Sequence, residues 1–198
     1  KRIELLDLLA QGERGVEALA RATGMGVTNT SAHLQVLRRA RLVETRKEAT
    51  RVRYRLAGDE VVALLVALRG LARSRLADVD QVVRDYFVAR DALEPIGRSE
   101  LLERAGKGDV VILDVRPHEE FLAGHIPGAP SVPLEELDAA LARLPKRKQV
   151  VAYCRGPYCV LAPQAVERLR SKGFKARRLD DGMPEWRLAG FPVAVGGE

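Results

Sequence analysis

With 198 residues, of which 46% are hydrophobic and 30% are charged, the chain is long enough to bury one large core or two small ones. It contains no run of eighteen apolar residues, and its first residues alternate charge with leucine, so we expect neither a membrane-spanning helix nor a secretory signal peptide. The formal net charge is +6, and two cysteines are too few for a secreted disulfide framework, so we expect a soluble cytoplasmic protein.

The excess positive charge lies in the first half of the chain. Residues 1–90 contain 17 Lys and Arg against 11 Asp and Glu, whereas residues 91–198 contain 16 of each kind. Residues 28–55 alone contain eight basic and two acidic residues. A charge run is often only a solvated face, but this asymmetry also indicates a surface that binds a polyanion such as DNA.

The first half has the pattern of short helices. Apolar spacing predicts helices near residues 3–9 and 16–20, Gly24 and Gly26 interrupt the chain, and a third helix is expected from about residue 27 to 40. Two helices joined by a glycine-containing turn are typical of a helix-turn-helix. The exposed face of the third helix carries side chains that suit the major groove: Thr28, Asn29, Ala32, Gln35 and Arg39.

A basic hairpin is predicted next. Apolar and charged residues alternate over residues 42–56, with basic residues at the tip and along the outer side: Arg46, Lys47, Arg51 and Arg53. Helix, turn, helix and basic hairpin, in EALARATGMGVTNTSAHLQVLRRARLVETRKEATRVRYRL, resemble the ArsR/SmtB family of winged-helix repressors. The resemblance covers about residues 1–90 and implies a homodimer bound to a double-stranded DNA operator, with a further family helix preceding residue 1.

Within that resemblance, Thr28, Asn29 and Gln35 are expected to read bases, and the basic residues of the third helix and hairpin to contact phosphates. The family's metal sensors use Cys pairs or His and acidic residues on helices that lack them here, so we expect no metal site, and His33 is interpreted as structural.

A long helix is predicted over residues 59–91. Its apolar residues, including Val62, Leu65 and Leu68, recur at near-heptad spacing, and so apolar a helix needs a partner. Packing onto the preceding domain is one interpretation. The resemblance favours the other, a dimer interface.

After Pro95 the pattern changes to alternating strands and helices. The apolar runs VVILDV (110–115) and QVVAYC (149–154) are typical of buried parallel strands, with amphipathic helices between and after them. The sequence therefore predicts two domains: a mainly α winged helix-turn-helix over residues 1–90 and an α/β doubly wound parallel sheet over residues 93–198. Active centres of such sheets lie beyond the carboxyl end of a strand, where Cys154 is.

Three segments resemble the rhodanese, or sulfurtransferase, domain: LDVRPHEEFLAGHIPGAPSVPL (113–134), VVAYCRGPYC (150–159) and DGMPEWRLAGFPV (181–193). The resemblance implies a single nucleophile, Cys154, at the start of a loop that leads into a helix. It also implies that Asp114 and Arg116 brace this loop.

Physical chemistry supports the same assignment. Backbone N–H groups and a helix N-terminus favour the Cys154 thiolate and would equally hold its persulfide, while Gly156 permits a tight loop and Arg155 adds a cation near the entrance. Pro157 removes one N–H donor, which weakens the expectation of thiosulfate turnover. The phosphatase pattern, Cys followed by Arg six positions later, fails because residue 160 is Val.

The second cysteine has two interpretations. Cys159 is either a resolving thiol, which attacks a Cys154 persulfide and closes a disulfide, or a small apolar side chain that lines the loop. A zinc pair is disfavoured, since His118 and His125 are explained by hydrogen bonding within their own loops.

Three hypotheses remain open from the sequence. The first is a DNA-binding regulator whose operator affinity responds to small sulfane-sulfur species at Cys154 and Cys159. The second is a working sulfurtransferase tethered to a DNA-binding module without coupling, and the third a rhodanese fold used only as a binding platform. No cofactor is expected.

Overall fold

The computed structural model describes residues 1–75 and 95–197. The chain divides into two compact units, Lys1–Leu71 and Ala72–Glu198. The predicted helix over residues 59–91 lies partly outside the described residues. No helix within them is both long and apolar enough to cross a lipid bilayer.

The first unit consists of helices around a small antiparallel sheet. Its elements in chain order are α1 Arg2–Ala10, β1 Arg14–Gly15, α2 Val16–Thr23, α3 Val27–Arg39, β2 Val43–Glu48, β3 Arg51–Leu56 and α4 Asp59–Arg75. Strand β3 lies between β1 and β2, and Thr45 pairs with Tyr54 in the hairpin. This is the predicted order of helix, turn, helix and basic hairpin.

The turn between α2 and α3 depends on glycine. Gly24 ends α2 in the left-handed conformation with φ +65°, which glycine adopts at little cost, and Gly26 is the N-cap of α3. Leucines from α1, α2 and α3 then form one core with Tyr54 and Leu65. This core fixes the orientation of α3.

The second unit is an α/β fold around the parallel sheet β4-β5-β6. Its elements are α5 Arg98–Gly106, β4 Val110–Asp114, α6 His118–Ala123, a 3-10 turn Leu134–Glu136, α7 Leu137–Ala140, a 3-10 turn Leu141–Arg143, β5 Gln149–Tyr153, α8 Leu161–Ser171, β6 Ala176–Arg178 and α9 Met183–Leu188. Strand β5 is central and pairs in parallel with both neighbours.

Both faces of the sheet are buried. Successive residues of β5 alternate between two apolar cores, with Val150 and Ala152 in one and Val151 and Tyr153 in the other. Neighbouring residues of a strand point to opposite faces of the sheet, so both faces are apolar here. Helices cover the sheet on both sides and bury those faces. The confirmed α/β pattern places the end of β5, and therefore Cys154, at the sheet's carboxyl edge.

Candidate functional site

The cysteine loop connects β5 to α8. Cys154 directly follows the last strand residue and is only 3% exposed, whereas Cys159 is half-buried and precedes the first turn of α8. The Cys159 N–H donates to the Gly156 carbonyl at 3.0 Å, which curls the loop. Gly156 has φ +155°, a value that L side chains rarely adopt, so glycine is required at this bend.

The two cysteines are free thiols with different surroundings. The Cys154 thiol faces carbonyl oxygens, at 3.9 Å from that of Gly156 and 3.7 Å from that of Cys159. Burial raises the pKa of Cys154 well above its usual value, and the hydrogen bond to Cys159 and the negative charge of Cys159 act in the same direction. Acceptor oxygens and burial both favour the neutral thiol.

Cys159 is the more acidic thiol. The hydrogen bond from Cys154 lowers its pKa to about 6 despite burial, and the Leu161 and Arg155 N–H groups and the Arg155 guanidinium act in the same direction. Within the pair, a negative charge is therefore favoured on Cys159 over Cys154. The sequence prediction places the resting thiolate on Cys154. The difference arises because Cys154 is the more deeply buried thiol and donates its proton to Cys159, which outweighs the N–H groups of Ala162 and Gly156 that face Cys154.

Alkylation should detect this ionisation. The rate of Cys159 modification by iodoacetamide should rise with pH through a midpoint near the pKa of about 6, because the thiolate is the reactive form. Peptide mapping by mass spectrometry at each pH separates Cys159 from Cys154. In Cys154→Ala the donated hydrogen bond is lost and the midpoint should rise, whereas a parent midpoint of about 8.5, the value of an ordinary thiol, would contradict the assignment.

The predicted entrance cation is held by a buried carboxylate. Arg155 Nε donates to both carboxylate oxygens of Glu120 at 3.0 Å, and Nη2 donates to Oε1 at 2.7 Å. Glu120 lies on α6 with its side chain 1% exposed, while the side chain of Arg155 is 35% exposed. Burial alone would lower the pKa of Arg155, but the hydrogen bonds and charge of Glu120 outweigh it and raise the pKa.

A buried ion pair lies beside the end of β5. Arg116 and Asp114 are both 0% exposed, and Arg116 donates to Asp114 Oδ2 at 2.6 Å and to the Gly124 carbonyl at 2.7 Å. The Tyr153 hydroxyl donates to the same carboxylate at 2.5 Å. Burial and Asp114 raise the pKa of Tyr153, so it remains a donor. Asp114 and Arg116 thus fix the residue that precedes Cys154, as a bracing role requires.

Gly182 is a site residue that sequence reasoning missed. A Cβ at this position would overlap the backbone of Arg155 and Gly156. The next residue, Met183, donates its N–H to the Cys154 carbonyl at 3.2 Å. The start of α9 therefore supports the cysteine loop from behind, and glycine at 182 allows the two backbones to approach. The signal was present in DGMPEW, but only as part of the resemblance.

The two histidines of this unit have local partners. His125 is buried and its Nδ1–H donates to the Phe121 carbonyl at 3.0 Å, while His118 Nδ1 lies 3.1 Å from Ser131 Oγ. Both line a cleft of about 380 Å³ beside Phe121. In the part of the chain that the structure describes, no three His, Cys, Asp or Glu side chains lie close enough to hold a metal ion.

The exposed face of α3 is a second candidate site. Thr30, Leu34 and Leu37 are buried in the first unit. The predicted base-reading and phosphate residues lie on the other side, with Thr28, Asn29 and Arg39 exposed and Gln35 half-buried. Small polar side chains on an exposed helix match the width and hydrogen-bonding groups of a DNA major groove.

The hairpin charges are partly neutralised. Arg46 Nη2 lies 2.9 Å from Glu13, and Arg53 Nε lies 2.6 Å from Glu48. Lys47 and Arg51 are exposed at the hairpin tip. The four predicted basic residues thus lie on one hairpin, but two of them already bind carboxylates within the unit.

Helix α4 has a buried face and an exposed apolar stripe. Val62 and Leu65 are 2% and 3% exposed, and Leu65 packs in the core of the first unit. Leu64, Leu68 and Leu71 lie three to four residues apart on the helix and are 52%, 43% and 56% exposed. For Leu65 the structure thus supports packing onto the preceding domain, one of the two interpretations that the sequence leaves open.

Comparison with known proteins matches both units. The family model described as bacterial regulatory protein, arsR family, matches residues 1–45, and that of the rhodanese-like domain matches residues 98–189. The HTH-type transcriptional regulator Rv0324 of Mycobacterium tuberculosis is 52% identical over 196 residues, covering 99% of this chain and 86% of that protein. The tRNA sulfurtransferase of Desulfurococcus amylolyticus is 33% identical over 140 residues, 70% of this chain but only 27% of that enzyme.

Among solved structures, the homodimeric winged helix-turn-helix domain of Mb0332 from Mycobacterium bovis is 52% identical and covers 38% of this chain and 69% of that one, with a TM-score of 0.36.

Proposed function

Since the chain belongs to the ArsR family of helix-turn-helix transcriptional regulators and carries a rhodanese-like domain, we propose that it binds an operator with an affinity set by sulfane sulfur at its cysteine loop. The observation that carries the proposal is a loop of two free thiols, one acidic and one buried. A simple transferase needs one nucleophile, whereas a pair can store the outcome of the reaction as a disulfide.

The proposed chemistry begins with proton transfer from Cys154 to the Cys159 thiolate. Cys154 Sγ then attacks the outer sulfur of a hydropersulfide, the donor S–S bond breaks, and a thiolate leaves with that electron pair. The Cys154 persulfide that results lies within the loop, where N–H groups face its anionic end. Of the two thiolates, that of Cys154 is the better nucleophile because its pKa is higher.

Cys159 then resolves the persulfide. Cys159 passes its proton to the outer sulfur of the persulfide, and its thiolate attacks the inner sulfur on Cys154. The S–S bond breaks, hydrosulfide leaves with that electron pair, and a Cys154–Cys159 disulfide forms. Two thiols have been oxidised, and the sulfane sulfur has been reduced to sulfide. The acidity of Cys159 favours this step because it returns to the thiolate readily near neutral pH.

For the DNA-binding half, we assign Thr28, Asn29 and Gln35 to base contacts. Arg39, Lys47 and Arg51 are assigned to phosphates, because exposed cations at a helix face and a hairpin tip supply the sequence-independent part of DNA binding. Arg46 and Arg53 belong to the same surface but must exchange Glu13 and Glu48 for phosphates. Arg46 and Arg53 are therefore expected to contribute less to DNA affinity than Arg39, Lys47 and Arg51.

A homodimer would supply two recognition helices for a two-fold operator. The exposed stripe of Leu64, Leu68 and Leu71 supports this assembly, since an apolar stripe on a polar helix is a common packing surface between helices. The predicted helix continues into residues outside the described ranges.

Coupling between the cysteine loop and DNA is the central part of the proposal. The loop packs directly against Gly182 and leads into α8, so a disulfide between Cys154 and Cys159 must displace packed backbone. Close-packed elements shift between discrete arrangements, which can alter a distant equilibrium by about 5- to 150-fold. We expect the disulfide form to bind the operator more weakly.

Operator affinity and intact mass, measured on the same samples, test the proposal. After polysulfide treatment the parent should lose two hydrogens and bind DNA more weakly by about 5- to 150-fold. Cys159→Ser should gain one sulfur, because its Cys154 persulfide cannot be resolved. Cys154→Ser cannot form the disulfide, and its affinity should not respond.

Two results would count against this function. Equal operator affinities for treated and untreated parent would favour an uncoupled sulfurtransferase, the second hypothesis from the sequence. Identical mass changes in the parent and in Cys159→Ser would leave Cys159 as a packing residue of the loop.

A further inference from the structure

The entrance of the cysteine loop has little net positive charge. Residues 156–158 carry no charged side chain, and Arg155 is bound by the buried Glu120 through three short hydrogen-bond contacts. The neighbouring cation Arg98 is similarly paired, 2.9 Å from Asp181, which precedes Gly182. Over residues 1–75 and 95–197, Arg155 and Arg98 are thus two guanidinium groups near the loop that each have a carboxylate partner.

This arrangement matters because sulfane donors differ in charge. A hydropersulfide in its neutral form is attacked at its outer sulfur and releases a thiolate. Thiosulfate is attacked in the same way at its sulfane sulfur and releases sulfite, but it approaches as a dianion. A loop that already holds one thiolate repels the thiosulfate dianion but not the neutral hydropersulfide. An unpaired cation would be needed to offset the repulsion of thiosulfate.

We infer that the Glu120–Arg155 pair selects the sulfur donor, favouring hydropersulfides over the thiosulfate dianion. The inference rests on the proposed sulfur chemistry of the loop and adds its substrate class. Glu120 contributes through Arg155, so it is a specificity residue and not a catalytic one. Its near-complete burial holds the carboxylate in place, so Arg155 has little freedom to turn toward an anionic donor.

The test compares the initial rates of sulfur uptake from thiosulfate and from 2-hydroxyethyl hydropersulfide, followed by intact mass on the full chain. Glu120→Gln keeps the size of the side chain but leaves Arg155 with an unbalanced charge. Its thiosulfate-to-hydropersulfide rate ratio should rise by about tenfold over that of the parent. A change in thiol ionisation, or in how well the loop is ordered, alters the rates of sulfur uptake from both donors together. Such a change therefore largely cancels in the ratio.

Two further variants separate charge from structure. Glu119→Gln removes an exposed carboxylate from the neighbouring position of α6 and should leave the ratio unchanged. The double variant Glu120→Gln, Arg155→Gln removes both charges and should return the ratio to that of the parent. An unchanged ratio in Glu120→Gln overturns the inference alone, whereas a parent that takes sulfur from neither donor overturns the proposed function.

Discussion

Replacing Gly182 with alanine should slow sulfur uptake at the cysteine loop by at least about 100-fold, the scale expected when a reacting group is displaced by about 1 Å. The added Cβ would occupy the space of the Arg155 carbonyl carbon and the Gly156 backbone. These are main-chain atoms, so no side-chain rotation relieves the overlap. Residue 182 cannot retreat either, because α9 is anchored by Trp186, which is fully buried.

Mass spectrometry after hydropersulfide treatment measures the uptake. Gly97→Ala is the matched control, since Gly97 has an ordinary φ of −76° and no atom within 4 Å of a Cβ placed there. Trp186 is the single tryptophan of the chain, so its fluorescence reports whether the second unit remains folded. Uptake at the parental rate in a folded Gly182→Ala protein would show that α9 does not position the loop.

The location of the site was predictable from sequence because it depends on local pattern. An apolar run followed by Cys154 and a helix indicates a nucleophile at the carboxyl edge of a parallel sheet, and the structure has that arrangement. The faces of α3 were also predictable, since Thr30, Leu34 and Leu37 are buried at helical spacing. In both cases the relevant residues are close in the chain.

The partners of the loop were not predictable in the same way. Glu120 precedes Arg155 by 35 positions, and Gly182 lies 26 positions after Gly156, so no periodicity connects them. The distribution of charge between the two thiols depends on where carbonyl oxygens and N–H groups point, which a residue pattern does not specify. Sequence reasoning therefore located the proposed nucleophile, Cys154, but not the groups that surround it.

Helix α4 shows a related limit. Near-heptad spacing identified an apolar helix that needs partners, but it did not say which apolar residues face the protomer's own core. Leu65 faces that core, Val62 is also buried, and the exposed stripe lies at Leu64, Leu68 and Leu71. The sequence interpretations of packing and of dimerisation thus apply to different residues of the same helix.

The double variant Leu68→Glu, Leu71→Glu should therefore convert the protein to monomers and lower operator affinity by at least about 100-fold, since two linked half-site contacts become independent. In a two-fold dimer each substitution occurs twice, so four carboxylates would meet across one interface. Both leucines are about half exposed in the protomer, and the protomer should fold normally. Sedimentation velocity measures the assembly, and fluorescence anisotropy with a labelled operator measures the affinity.

Leu122→Glu supplies the control for the added charge, because Leu122 is an exposed leucine of the second unit, on α6. It should remain dimeric and bind the operator like the parent. A monomer that keeps the parental affinity would separate DNA binding from dimerisation. A double variant that still sediments as a dimer would mean that the stripe on α4 is not the interface.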